Sequence, residues 1–365
     1  MAKVTIDTTN VVAAAFAPQT AEGTMDATLD GISATLQGDP NATDNGLMLG
    51  DAGEGVAKSG LTFQAERLVD EQAVISGSYS RGLGSFLRAD VSRLQFVFPF
   101  GGPRRTTAAT PVDNDFRPLR GVDGILQAAG LLSAAWGAGV GHQVQFSGSA
   151  LPCSGLIYLW GNRFELLDCR ARSLEIAFAG GQVPKCTVDL AVGRIKDPVA
   201  TPISVATSPT LTYGAQSSVT PAVANAVGFL WRGQNPSVGL QDITLSIGNE
   251  VSEFGDMNQA NGIVQEITDR TVEASGLFYV EGASTAEVFE FEQILADDIT
   301  DLPLMSWQVG VAAGATTPAR AVYVELTRPE VIDVDYRNIG SKAAVQVKVR
   351  ARSTSANGEL TLRFV

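Results

Sequence analysis

The second half of this chain reads as a second copy of its first, and that constrains the possible folds more than any single motif. Val4–Phe16 alternates, reaches Asn10 and runs into a short apolar stretch, as Ile243–Phe254 alternates, reaches Asn249 and ends on Phe254. Next in order, Ala73-Val-Ile-Ser-Gly-Ser-Tyr79 stands beside Val272-Glu-Ala-Ser-Gly-Leu-Phe278, both with Ser-Gly ahead of an aromatic residue. Last, Ser173–Phe178 with Cys186–Val192 has the two-strand layout of Glu330–Asp335 with Ala343–Val349. Three strand pairs in one order suggest two β domains fused in one chain, and such duplication points to repeated assembly rather than catalysis. The alternative is that any all-β chain offers short strand matches by chance, and identity between the halves is low.

With 365 residues, 45% of them hydrophobic, the chain can fill two real cores. Charged residues are only 18% and glycines number 38, a balance that suits short strands joined by tight turns, so the expected class is mainly β. The formal net charge of −13 argues against a protein that grips nucleic acid, which needs clustered Lys and Arg to displace phosphate counterions. An acidic surface repels DNA and keeps a concentrated protein in solution. Met1-Ala-Lys-Val-Thr-Ile-Asp7 has no signal-peptide core, and Ile125–Val140 is interrupted by Gly and Ser and too short to span a bilayer. The expectation is synthesis in the cytoplasm without a membrane partner.

Along the chain, three regions are expected: a first β domain over 1–200, a Pro/Ser/Thr-rich linker or arm over 201–239, and a second β domain over 240–365. In the first, Gln37–Gly60 reads as a surface loop, and Gly101–Pro118 is a polar loop before the clearest helical pattern. There Asp123 can cap a helix whose Ile125, Leu126, Ala129, Leu132 and Trp136 share one face, with Gly137 and Gly139 ending it. Thr285–Asp297 reads as a helix in the corresponding place of the second domain. Pro198, Pro202, Pro209, Pro221 and Pro236 keep the linker out of a central strand, although Val227–Trp231 is apolar enough to dock on a neighbour or on its own domain.

A search for chemistry names no catalytic, cofactor-binding or metal-ligating residue. His142 is the only imidazole and follows Gly137-Ala-Gly-Val-Gly141, a turn position at the start of a strand. Those glycines follow a helix, whereas a dinucleotide loop precedes one. Cys153, Cys169 and Cys186 are widely spaced, in or beside apolar strands, and are expected to be buried free thiols. The acidic clusters Asp113–Asp115, Asp297–Asp301 and Asp333–Asp335 follow no EF-hand pattern, and Asp333 and Asp335 share a strand face that suits solvent. Arg104, Arg105, Arg117 and Arg120 form a basic cluster that could meet an acidic patch on an identical neighbour or simply be solvated.

Two stretches carry a family resemblance. In Leu156–Arg194 a hairpin leads through Cys169-Arg-Ala-Arg-Ser-Leu-Glu-Ile-Ala-Phe178 to a strand ending in Val192-Gly193; Asp242–Asn249 runs on to Thr268–Gly276. The chain here resembles the tail tube, or major tail, proteins of long-tailed bacteriophages, of the duplicated kind. The resemblance implies two tandem β-sandwich or barrel units, each with a flanking α-helix, that assemble into stacked rings around a channel for the genome. It implies no enzyme activity and no cofactor. Inner sheets of neighbours would join edge to edge, and a duplicated chain would give trimeric rings with pseudo-sixfold symmetry. Implied partners are other copies of the chain and tail-tip, tape-measure and tail terminator proteins, with phage DNA passing through the lumen without specific binding. The implied location is the virion tail. Rival readings are another structural virion protein, such as a capsid decoration or tail-tip component, or a carbohydrate-binding β protein. The last is disfavoured by an aromatic content of 7%.

Overall fold

A computed structural model describes residues 3–6, 11–26, 29, 46–47, 62–72, 84–100, 117–137, 141–159, 162–180, 182, 184–195, 229–231, 239–256, 263–279, 305–311, 320–353 and 358–364. In chain order the strands are β1 (Lys3–Ile6), β2 (Val11–Pro18), β3 (Gly46–Leu47), β4 (Thr62–Gln72) and β5 (Gly84–Pro99). The helix α1 (Arg120–Ala128) follows, then β6 (Leu131–Gly137), β7 (Gly141–Phe146), β8 (Cys153–Leu159), β9 (Asn162–Ala179), β10 (Lys185–Val192) and β11 (Arg194–Ile195). The remainder are β12 (Phe229–Trp231), β13 (Gly239–Gly255), β14 (Ile263–Tyr279), β15 (Met305–Val311), β16 (Arg320–Leu326), β17 (Pro329–Ile339), β18 (Lys342–Ala351) and β19 (Leu360–Phe364). The protein is mainly β. The helix expected over Thr285–Asp297 and the segment Ala73–Tyr79 lie outside the described residues, as does most of each loop expected over 37–60 and 101–118.

The long sheet runs β1-β4-β5-β10-β9-β13-β14-β18-β17, with β8, β2, β3 and β11 attached off this path. All of its pairings are antiparallel, and they repeat. Hairpin β4–β5 meets hairpin β10–β9 through β5 and β10, and hairpin β13–β14 meets hairpin β18–β17 through β14 and β18. Irregularities repeat with them. Thr62 stands opposite Gln95 and the register shifts between Leu68 and Val69; Thr244 stands opposite Ser275 and the register shifts between Glu250 and Val251. In the inner hairpins Ser173 faces Asp189 with Arg172 as the extra residue before it, and Asp333 faces Lys348 with Ile332 as the extra residue before it. A β-bulge is a specific device that bends a strand and fixes register. Two bulges at matching positions align the four-strand units residue by residue. Strand β4, rather than the segment from Val4, therefore takes β13's place in the first unit. β9 on β13 joins the units, from Ser173 opposite Gly248 to Ala179 opposite Asp242.

A second, six-stranded sheet, β12-β15-β16-β19-β7-β6, covers one face of the long sheet. It mixes both halves, because β19 pairs with β16 and with β7. Between the sheets lies one continuous apolar cluster in which Phe100 meets Phe178 edge-on at 6.4 Å and Phe178 meets Trp307 at 6.3 Å. Alternation along each strand supplies this layer: Ile243, Leu245 and Ile247 of β13 are buried, as are Val345, Val347 and Val349 of β18. The apolar Phe229–Trp231 is β12 and docks within its own chain, opposite Met305–Trp307.

The helix ends earlier than its apolar spacing predicts. Ala128 is the last helical residue, Gly130 has φ +90°, and its N–H bonds the Gln127 carbonyl at 2.9 Å. Only glycine reaches that conformation cheaply, so the chain turns there. Leu132 and Trp136 then belong to β6, paired with β7. The N-cap is Leu119, and Asp123 sits in the first turn, where an acidic side chain complements the helix dipole. At its midpoint the helix presses on β2: a Cβ at Gly124 would come 2.8 Å from the Ala17 carbonyl carbon.

Candidate assembly surface

The ends of the long sheet are its edges. Strand β17 has 11 residues and is hydrogen-bonded to β18 along one side; among the described residues no strand covers the other. It carries two of the exposed large apolar side chains, Ile332 and Tyr336, the latter 49% exposed. A long edge with apolar side chains in water is a template for another strand. At the other end β1 covers part of β4, with Lys3 to Ile6 opposite Glu66 to Phe63.

The face of the long sheet turned away from the core is polar and laced with charge pairs. Arg93 Nε donates to Asp189 Oδ1 at 2.7 Å, and that hydrogen bond holds the guanidinium more firmly charged. Glu273 accepts from Lys348 at 2.6 Å and Arg350 at 2.7 Å. Burial pushes the Glu273 carboxyl up, but the two cations outweigh it and hold it below its ordinary range. Arg337 bonds Asp335 at 2.6 Å and also donates to Gln346, whose amide in turn donates to Ser275 Oγ at 2.9 Å. Burial raises the Asp242 carboxyl at the unit junction, with Arg337 opposing. Alternation puts Asp189, Asp333 and Asp335 on this same face. The first is nearly buried beneath Arg93; the other two are exposed on β17.

The remaining residues singled out from sequence lie elsewhere. His142 is not at a turn surface: it is the second residue of β7, 2% exposed, opposite Phe364 of β19, with Nε2 3.0 Å from Ser133 Oγ. The three cysteines are free and buried, Cys153 directly opposite Cys169. Arg120 is spent within the chain on Asp26, at 2.7 Å, while Arg104, Arg105, Asp113, Asp115 and Asp297–Asp301 lie outside the described residues. Among the described residues no group of three or more His, Cys, Asp or Glu could hold a metal, and no helix is long and apolar enough to cross a membrane. Sequence reasoning missed the Arg93–Asp189 and Glu273–Lys348 pairs. Alternation signals their shared face, but only strand register brings the partners together.

Residues 9–358 match the family model described as phage tail tube protein. A comparison with curated proteins finds no match.

Proposed function

Because the chain belongs to the phage tail tube protein family, a structural family of the virion tail, we propose that it polymerises into stacked rings whose lumen conducts the genome into the host. The observation that carries this reading is the family match over nearly the whole chain, from 9 to 358. In this reading 1–200 and 240–365 are tandem tube domains and 201–239 joins them. Three chains then make a ring of six similar units, a closed cyclic assembly that leaves no sheet edge free. The repeated strand order and bulges support it. So does the β17 edge, which no strand covers among the described residues and which suits edge-to-edge closure.

The polar face of the long sheet lines the channel, since the opposite face is filled by the six-stranded sheet. Assembly takes place in the host cytoplasm. The tail-tip, tape-measure and terminator proteins meet the tube at its ends and inside it, and the role is mechanical, without catalysis. The test is negative-stain microscopy of the full-length chain at high concentration and of tails recovered from virions. Hollow tubes with three chains per ring are expected; a strict monomer that is also absent from tails overturns the reading.

A further inference from the structure

Inside the chain, β9 lies on β13 with Ser173 opposite Gly248, Leu174 opposite Ile247, Ile176 opposite Leu245 and Ala177 opposite Thr244. By the matching bulges, Asp333 of β17 stands where Ser173 does, and Thr62 of β4 stands where Thr244 does. Carrying the same register onto a second copy puts Asp333 opposite Glu66, Val334 opposite Ala65, Tyr336 opposite Phe63 and Arg337 opposite Thr62. That stretch of β4 is already occupied. β1 runs antiparallel along it with Lys3 opposite Glu66, Val4 opposite Ala65 and Ile6 opposite Phe63. Residue for residue, β1 fills on β4 the place that β9 fills on β13.

We propose that β1 guards the β4 edge in the free subunit and that β17 of a second copy displaces it, joining the two chains in the register of β9 on β13. The inference rests on the tube reading above and adds which strands join, in what register, and what must leave first. An open edge invites uncontrolled pairing, so a short strand of the same chain keeps free subunits apart. Length and burial favour the joined state. The internal junction has seven residue pairs against four for β1, and Tyr336, 49% exposed, would take the position of Ile176, which is 0% exposed.

Two cysteine pairs in the full-length chain test this. Oxidised Ile6→Cys/Phe63→Cys pins β1 on β4, and loss of rings and tubes is expected, restored by reduction. Phe63→Cys/Tyr336→Cys should give covalent links between chains, a ladder closing at the trimer. Normal tubes from the oxidised Ile6→Cys/Phe63→Cys chain overturn the proposal. So do tubes of Phe63→Cys/Tyr336→Cys without the interchain link, while leaving the tube reading intact; wild-type chain that forms no tube anywhere overturns both. Hydrogen exchange on the wild type needs no folded variant. Protection of Lys3–Ile6 should fall, and that of Pro329–Ile339 rise, between subunit and tube; the absence of this exchange of protection also overturns it.

Discussion

Asn249 Nδ2 donates to the carbonyl of Ala171 at 2.9 Å, so a side chain from β13 holds the backbone of β9 beside its bulged residue. The same group lies 3.2 Å from the carbonyl of Ala129, in the turn that ends α1. One amide thus ties the second four-strand unit to the first and both to the helix.

Replacing it strands these carbonyls in a buried place. Asn249→Ala should cost about 1–3 kcal/mol of stability, the penalty of leaving a buried polar group without its partner. Asn249→Asp should cost at least as much, because a carboxylate cannot donate. Urea denaturation of the free subunit measures both; a midpoint unchanged in either variant contradicts the assigned role.

The helix can be probed through its closest approach. Gly124→Ala places a methyl group against the Ala17 backbone, which cannot yield as a side-chain tip can, and overpacking of this kind costs roughly 1–3 kcal/mol. Helix propensity works the other way by up to about 1 kcal/mol. A net loss in thermal stability is expected; a gain would mean that α1 sits further from β2.

Much of this architecture was legible from alternation, and what was not legible depends on pairing. The hairpins β9–β10 and β17–β18 could be matched because Leu174, Ile176 and Phe178 alternate with Glu175 and Ala177 as Val334 and Tyr336 do with Asp333, Asp335 and Arg337. The match of β4 to β13 was hidden: past Thr62 and Thr244 the two strands share an apolar rhythm and the scattered identities Val69/Val251 and Glu71/Glu253, and the bulges that align them are properties of two strands together. Leu132 and Trp136 misled because a spacing of four suits a helix, whereas in β6 a bulge between Ser133 and Ala135 breaks the period and puts them opposite Gln145 and His142. Gly130 decides between helix and strand, and a glycine before an apolar run was the available signal. For the assembly surface, Asp333 and Asp335 were found by pattern, whereas Tyr336 gains meaning only once β17 is known to be an edge.

The cysteines give an alkaline signature. The hydrogen bond to Cys153, together with burial, raises the Cys169 thiol well above its ordinary value, and burial raises Cys186, helped by the nearby Glu175 charge. Folded thiols therefore hold protons that unfolded ones lose near pH 8.5. Stability should be fully present below that pH and decline above it, because the unfolded state gains by ionising first. Titrating the unfolding midpoint from pH 7 to 10 checks the sign. Thiol reagents should leave all three cysteines unmodified in the folded chain at pH 8 and modify them in denaturant. Cys186→Ala should flatten part of the alkaline decline.

In the tube reading, charge on the polar face governs how the genome slides. DNA carries about one charge per 1.7 Å of axis, and a basic wall would hold it by counterion release. Asp189 is a poor probe, since removing it exposes Arg93 as well as changing the wall. Glu175 is cleaner: it is exposed on β9, with Thr187 of β10 and Ser246 of β13 as its direct cross-strand neighbours. Glu175→Lys should leave tube formation intact and slow genome ejection at low salt, with the rate recovering as salt screens the new cations. Ejection kinetics identical to wild type across the whole salt range would mean that the acidic residues of this face serve solubility and not passage.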